Sequence, residues 1–326
     1  MSKLVTIYGG SGFVGRYIVR RMAKAGWRVR VAVRRPNEAM HVKTCGVVGQ
    51  VEPVLCNIRD EDSVRAAMLG ADAVINCVGT FDRKGRNNFD AVQHEGAERI
   101  ARWAAASGVA QLVHISAIGA DAESDSIYCQ TKARGEAGIL EHFPSAVILR
   151  PSVIFGAEDG FFNRFAAMTR WGPVLPLVGG ETRFQPVYVD DVAEVAALGA
   201  EGRAEAGIYE LGGPDVQSFR ELMQEMLSVV RRRRLVLNIP FWIAGILGGA
   251  MELLQTLTLG IIPAQITRDQ IKSLRCDNVV SDGARSFSDL GIKPMASEAV
   301  LPDYLWRFRP AGQYEAIKES AGKLGS

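Results

Sequence analysis

The stretch GGSGFVG at positions 9–15 constrains this chain more than any other, because of what stands on either side of it. Leu4 to Tyr8 is a short apolar run rich in β-formers. After the glycines, YIVRRMAKAG carries apolar residues at helical spacing up to a terminating Gly26. The order is strand, glycine turn, helix. Gly9, Gly12 and Gly15 fit G-x-x-G-x-x-G, and Gly10, Gly12 and Gly15 fit G-x-G-x-x-G. A Cβ in such a turn would block the approach of backbone to a pyrophosphate, whose charge is met by the free N–H groups of the helix N-terminus. The pattern predicts a dinucleotide on the first turn, with a purely structural glycine turn as the alternative.

WRVRVAVRRPN follows as a second strand ending in Arg34 and Arg35. Where a site selects NAD, an acidic residue roughly 20 positions beyond the glycines accepts bonds from the ribose 2′-hydroxyl. Arg34 occupies that place here. Two guanidinium groups favour a 2′-phosphate through bidentate charge-assisted hydrogen bonds, so NADPH is expected over NADH. The alternative is a pair of solvated arginines.

VEPVLCNI, AVINCVG and AQLVHISA then read as short buried strands, with helices predicted in EDSVRAAMLG and FDAVQHEGAERIARWAAASG between them. Alternating strands and helices imply an α/β fold, a Rossmann doubly wound parallel sheet whose ligand crosses the carboxyl ends of the strands, with a smaller C-terminal α/β lobe. The expected division is residues 1–155, joined by 185–205, for the dinucleotide and 156–326 for the smaller lobe. Asn57 and Ile58 are expected to end the third strand near the adenine, Val78 and Gly79 the fourth, and Ser116 the fifth, facing the nicotinamide.

Composition removes other classes. A chain of 326 residues with 48% hydrophobic content can bury a large core, and a net charge of +2 is too small to suggest nucleic acid as a global partner. Five dispersed cysteines without a C-x-x-C pair, and four scattered histidines, suggest neither a disulfide framework nor a metal site. Strand-like sequence from Leu4 leaves no room for a cleavable signal or transit peptide, so a cytosolic or already processed chain is expected.

In SIYCQTKARGE, residues 126–136, Tyr128 precedes Lys132 by four positions, which makes them neighbours on a helix. A tyrosine that exchanges protons at neutral pH needs a cation to stabilise its phenolate, and Lys132 is placed to supply one. In a reductase Tyr128 would protonate a carbonyl oxygen, Lys132 would lower its pKa and hold the ribose, and Ser116 would orient the substrate if its hydroxyl points to the nicotinamide. The alternative is that the same residues only bind the cofactor.

With the glycine turn, Ser116, Tyr128-x-x-x-Lys132, LRPSVIFG and PVYVDDVAEVA, the chain resembles the extended and atypical short-chain dehydrogenase/reductase superfamily over nearly its whole length. ILRPSVIFGAEDGFFNRFA, FQPVYVDDVA and TRDQIKSLRCDNVVS bring it nearest to the NADPH-binding accessory subunits of respiratory complex I, the NADH:ubiquinone oxidoreductase. The resemblance implies tightly held NADPH that stabilises the protein, no turnover of its own, and a peripheral place among the subunits of the peripheral arm and membrane junction. For this chain that place would be the cytoplasmic side of a bacterial inner membrane. It also implies cofactor contacts at Gly9, Ser11, Gly12, Phe13, Gly15, Arg34, Arg35, Gly79, Ser116, Tyr128, Lys132 and Pro151. A soluble NADPH-dependent reductase or sugar-nucleotide epimerase of the same superfamily is the alternative. Ala117 stands where many active members carry a second hydroxyl, and Tyr188 where many sugar-nucleotide enzymes carry histidine. Asp190 and Asp191 are read as a helix N-cap and a first-turn acid.

The most apolar stretch, residues 238–263, follows Arg231, Arg232, Arg233 and Arg234. Ile239 to Ile262 is long enough to span a bilayer, but Pro240, the glycines, Glu252 and Gln255 argue against spanning. On a helix, Gly245, Gly249, Glu252 and Thr256 would form a small and polar stripe opposite an apolar face of Ile243, Leu247, Ala250, Leu254 and Leu257. That suits docking, with the arginines at anionic lipid or an acidic subunit surface. A core helix is the alternative.

Overall fold

The computed structural model describes residues 2–80, 85–86, 88–257 and 268–314. The chain divides into two compact units, one of residues 1–152, 189–212 and 280–293, the other of residues 153–188, 213–279 and 294–326.

In the first unit, β1 (Leu4–Tyr8), β2 (Arg28–Val33), β3 (Val51–Leu55), β4 (Ala73–Asn76), β5 (Gln111–Ile115), β6 (Val147–Pro151) and β11 (Gly207–Leu211) form one seven-stranded sheet. Every pairing is parallel, in the order β11-β6-β5-β4-β1-β2-β3. The order reverses between β1 and β4, and a crevice for a ligand opens at such a point above the carboxyl ends. β1 is buried at all five positions, which is why LVTIY lacks the alternation of a half-exposed strand. In register, Tyr8, Asn76, His114 and Ile148 share one face of the sheet. There Tyr8, Val74, Leu112 and Ile148 pack with Ile100 and Ala104 of α3 (Glu95–Ala106) and Ile139 of α4 (Ile127–His142). α1 (Phe13–Lys24), α2 (Glu61–Met68) and α6 (Val189–Ala200) complete the unit.

The strands stop slightly earlier than the sequence suggests. Asn57 and Ile58 lie beyond β3, Val78 and Gly79 beyond β4, and Ser116 one residue past β5, because the chain turns toward the next helix as soon as ladder pairing ends. A π-helical turn at Asp90–His94 precedes α3, inside the stretch read from the sequence as one helix. Asp190 is not an N-cap, since α6 already begins at Val189. Its carboxylate instead takes a bidentate pair from Arg21 at 3.0 and 2.8 Å, an interaction between residues far apart in sequence.

The second unit contains β7 (Ile154–Phe155), β8 (Val174–Val178), β9 (Arg183–Phe184), β10 (Val187–Tyr188), β12 (Gln217–Ser218) and β13 (Leu235–Ile239), arranged as two-stranded pieces. Its helices are α5 (Phe162–Met168), α7 (Phe219–Val229), α8 (Phe241–Leu257), α9 (Arg268–Ser273) and α10 (Ser297–Leu305). Phe155, Phe162, Leu177, Phe219, Met223 and Leu301 make its core. A buried carboxylate organises one corner: Asp159 accepts the N–H groups of Gly156, Phe161 and Asn163 at 3.0–3.2 Å and the Tyr304 hydroxyl at 2.6 Å.

α8 begins at Phe241, and Ile239 belongs to β13. Its buried side carries Ala244 and Gly248, while Trp242 and Ile246 are 69% and 63% exposed and Ala250 is exposed as well. The outward apolar row is therefore Trp242, Ile246 and Ala250, a rotation of the face expected from Ile243 and Ala250. Packing of Ala244 against Val178 and Ile271 sets that rotation. The side chains of Leu247, Glu252, Leu254, Gln255, Thr256 and Leu257, and residues 258–263 altogether, lie outside what is described. No helix among the described residues is long and apolar enough to cross a membrane.

Candidate dinucleotide site

The glycine turn closes tightly on itself. Gly9 stands at φ +75°, donates to the Ala32 carbonyl at 3.0 Å and accepts from the Gly12 N–H at 3.0 Å. A Cβ at Gly15 would lie 2.4 Å from the Gly9 oxygen and 2.6 Å from the Gly10 Cα, so helix and turn touch backbone to backbone. Gly12 precedes α1 as its N-cap and offers no side chain to it, leaving the first helical N–H groups beside the half-buried Ser11 and Phe13. Arg16, which sequence reasoning passed over, folds back to the carbonyls of Ser11 and Gly12 at 3.3 and 3.2 Å and adds positive charge at this end. Its place directly after the third glycine was the available signal.

Across the switch point, Val78 approaches within 3.2 Å of where a Gly9 Cβ would be and donates its N–H to Asn76. Gly79 is exposed, and a Cβ there would meet nothing within 4 Å. Beyond β2, Arg34 and Arg35 are both exposed but differ in engagement. Arg35 pairs with Glu38 at 3.0 Å, whereas no described carboxylate pairs with Arg34. Asn57 folds into a local turn, its Oδ1 accepting the Arg59 N–H at 3.2 Å, and Ile58 is buried beneath it with its carbonyl accepting from Arg99. Pro151 ends β6, its carbonyl accepting the Ile118 N–H at 3.0 Å.

Ser116, Tyr128 and Lys132 come from the end of β5 and the first turns of α4, as their strand and helix positions require. Lys132 is buried and its Nζ donates to the Ile115 carbonyl at 3.1 Å. Burial brings its pKa down to about 8, opposed by the charges of Glu136 and Cys77. The same burial pushes the Cys77 thiol up to about 12 and holds His114, with Lys132 also acting on it, neutral well below the usual histidine range. Tyr128 packs edge-on against Phe89 with ring centroids 5.8 Å apart. Burial, followed by the neighbouring Cys129, raises its phenol above the ordinary value.

The Ser116 hydroxyl donates to Glu136, one helical turn beyond Lys132. Glu136 is held in turn by Arg150, with Nε to Oε1 at 3.0 Å and Nη2 to Oε2 at 2.6 Å. Arg150 also lies 3.5 Å from Glu210 on β11, whose carboxylate accepts the Ser281 N–H at 2.8 Å. Tyr128, Lys132 and Glu136 stand at successive i, i+4 positions, so the carboxylate was visible on the helix face; its partners on β6 and β11 were not. Among the described residues no group of His, Cys, Asp and Glu side chains is arranged to hold a metal.

The residues present fit a dinucleotide: a glycine cradle that a Cβ would fill, an uncapped helix terminus, open space at Gly79 and a cationic strand end. The profile of the NAD dependent epimerase/dehydratase family matches residues 5–212. The chain is 35% identical over 316 residues to "NADH dehydrogenase [ubiquinone] 1 alpha subcomplex subunit 9, mitochondrial" of Arabidopsis thaliana, covering 95% of this chain and 79% of that one. It is 30% identical over 311 residues to the "NADH-ubiquinone oxidoreductase 40 kDa subunit, mitochondrial" of Neurospora crassa, covering 95% and 80%. Among solved structures, DesIV, a dTDP-glucose 4,6-dehydratase from Streptomyces venezuelae with NAD and TYD bound, superposes with a TM-score of 0.70 at 20% identity, covering 96% of this chain and 99% of that one. That likeness carries the fold, and nicotinamide dinucleotides occupy this fold in it.

Proposed function

The chain belongs to the NAD dependent epimerase/dehydratase family, and from that premise we propose that it is an NADPH-binding accessory subunit of respiratory complex I that keeps the dinucleotide as part of its fold without turning it over. One observation carries the non-catalytic part: the Ser116 hydroxyl is spent on the buried Glu136–Arg150 pair, so it is not available to orient a substrate carbonyl. The raised phenol of Tyr128 supports the same reading. Bound cofactor adds stability as RT ln(1 + [L]/Kd), about 4 kcal/mol at a thousandfold excess, which is enough to retain it without a reaction.

NADPH is favoured over NADH by Arg34, an exposed guanidinium at the end of β2 with no described acid beside it. The contact set of this reading is the glycine turn with Ser11 and Phe13, then Arg34 and Arg35, Asn57 and Ile58, Val78 and Gly79, and Ser116, Tyr128, Lys132 and Pro151. The partners are the other complex I subunits of the peripheral arm and its membrane junction. The chain sits peripherally on the cytoplasmic side of an inner membrane, with Arg231, Arg232, Arg233 and Arg234 toward anionic lipid. The two units correspond in this reading to a dinucleotide domain and a docking lobe.

Copurification tests the assembly: detergent-solubilised complex I from the source should contain this chain, and its absence overturns the reading. For the cofactor, replacing Arg34 with Glu and Arg35 with Gln should weaken NADPH binding at least tenfold while leaving NADH binding nearly unchanged, and an equal loss for both removes the 2′-phosphate argument.

A further inference from the structure

Three guanidinium groups of the second unit, those of Arg170, Arg232 and Arg307, meet at Phe308, and a fourth, that of Arg234, reaches Thr169 beside Arg170. Arg170 and Arg307 stand over the Phe308 ring at 5.1 and 5.3 Å from its centroid. Each of the four is held by main-chain oxygen. Arg170 donates to the Arg307 carbonyl at 3.0 Å, Arg232 to the Phe308 carbonyl at 2.9 Å, and Arg234 to the Thr169 carbonyl at 2.9 Å. Arg307 donates to Ala157 at 3.1 Å and to the Asn163 side chain at 2.7 Å. No described carboxylate lies within ion-pair distance of any of them. Partial burial depresses the Arg232 pKa, and the charges of Arg234 and Arg170 act in the same direction.

Such a cluster is costly as it stands, since like charges gathered without a described counter-charge repel and the carbonyl bonds neutralise none of them. A guanidinium carries five N–H donors, so one or two bonds to carbonyls fix each fork and leave donors to spare. A solvated basic surface would instead spread its arginines and mix them with acids, as Arg183 with Asp277 and Arg203 with Glu201 do elsewhere in the chain. A single carboxylate is satisfied by one bidentate arginine; a tetrahedral dianion accepts from several at once.

We infer that Arg170, Arg232, Arg234 and Arg307 form a binding site for a phosphate group, distinct from the dinucleotide site; where the phosphate is a headgroup, the inference rests on and sharpens the lipid contact proposed above for Arg232 and Arg234. The phosphate belongs either to a lipid headgroup or to a soluble phosphate compound. Trp171, next to Arg170 and 91% exposed, has the amphipathic ring found at the headgroup level of membranes.

The test uses the full chain loaded with NADPH, so that the first site is filled. Binding of inorganic pyrophosphate is measured by calorimetry, and binding to phosphatidylcholine vesicles with and without phosphatidylglycerol is measured by flotation. Arg170→Gln is the main variant because Arg170 gives one carbonyl bond only; Arg307→Gln is the second, and Arg203→Gln the charge control. Retained NADPH binding and an unchanged melting temperature show that each variant is folded. The site predicts about a fivefold loss for each arginine removed, the equivalent of roughly 1 kcal/mol per basic residue near an anionic surface, with the control unchanged. Loss in the pyrophosphate arm identifies a soluble ligand, and loss in the vesicle arm alone identifies a headgroup. Binding to neither probe, equal loss in Arg203→Gln, or preference for a glutamate-rich peptide over both probes overturns the inference.

Discussion

The Ser116 hydroxyl donates to the carboxylate of Glu136, a side chain 4% exposed that Arg150 clamps from the other side. A buried pair of this kind contributes little net stability while intact, but removing Glu136's charge leaves Arg150 with Glu210 at 3.5 Å as its one remaining described carboxylate. Glu136→Gln should therefore cost roughly 3 kcal/mol, read as a lower urea midpoint. Adding Arg150→Met should cost less than the sum of the two single changes, because the two side chains share one contact, although Glu210 then keeps only the Ser281 N–H. An unchanged midpoint in Glu136→Gln would mean that the pair does not anchor Ser116.

The two glycines that flank the crevice should behave in opposite ways. Gly15→Ala forces a Cβ to 2.4 Å from a backbone oxygen, so it should lose about 1–3 kcal/mol and NADPH binding with it. Gly79→Ala meets nothing within 4 Å; the melting temperature of its cofactor-free form should equal that of the parent while NADPH affinity falls, because the methyl enters the space assigned to the cofactor. Full affinity in Gly79→Ala would place the cofactor elsewhere.

Lys132 has a pKa of about 8 in the fold against an ordinary 10.5. Between those values the unfolded chain holds a proton that the fold has released, so this residue makes stability rise with pH. Its contribution is unfavourable below about pH 8 and fades by about pH 10.5. The cofactor-free protein should thus gain urea resistance relative to Lys132→Met as pH is raised through that window. Comparing the pair removes the opposite effect of the buried thiol Cys56, whose pKa is raised. A difference that does not change with pH would show that the ammonium is solvated.

In the second unit, Tyr304→Phe removes one of four donors to Asp159. A hydrogen bond to a charged acceptor is worth about 1.5–3 kcal/mol, and a loss of that size in urea unfolding is expected. Because the three N–H donors come from the chain around Asp159 itself, the loop should keep its shape and NADPH affinity should not change. A fall in NADPH affinity would mean that the carboxylate supports more than its own corner.

The parallel sheet, the glycine turn and the helix bearing Tyr128 and Lys132 were all legible in the sequence, β1 to the residue. Each depends on local rules: the period of apolar residues, the sterics of a missing Cβ, and the i, i+4 neighbour relation. Those rules act over a few residues, so one sequence is enough to apply them.

Tertiary structure decided where the polar groups spend their hydrogen bonds. Ser116 turned to Glu136, Asp190 to Arg21, and Arg35 to Glu38, leaving Arg34 as the strand-end cation without a described acid. α8 put Trp242 and Ile246 outward because Ala244 and Gly248 were the small residues that fit inward. Arginines from three segments met at Phe308. Composition and spacing name the donors and acceptors, but a buried donor bonds whatever the fold brings within about 3 Å, and that choice is made between residues that can lie a hundred or more positions apart.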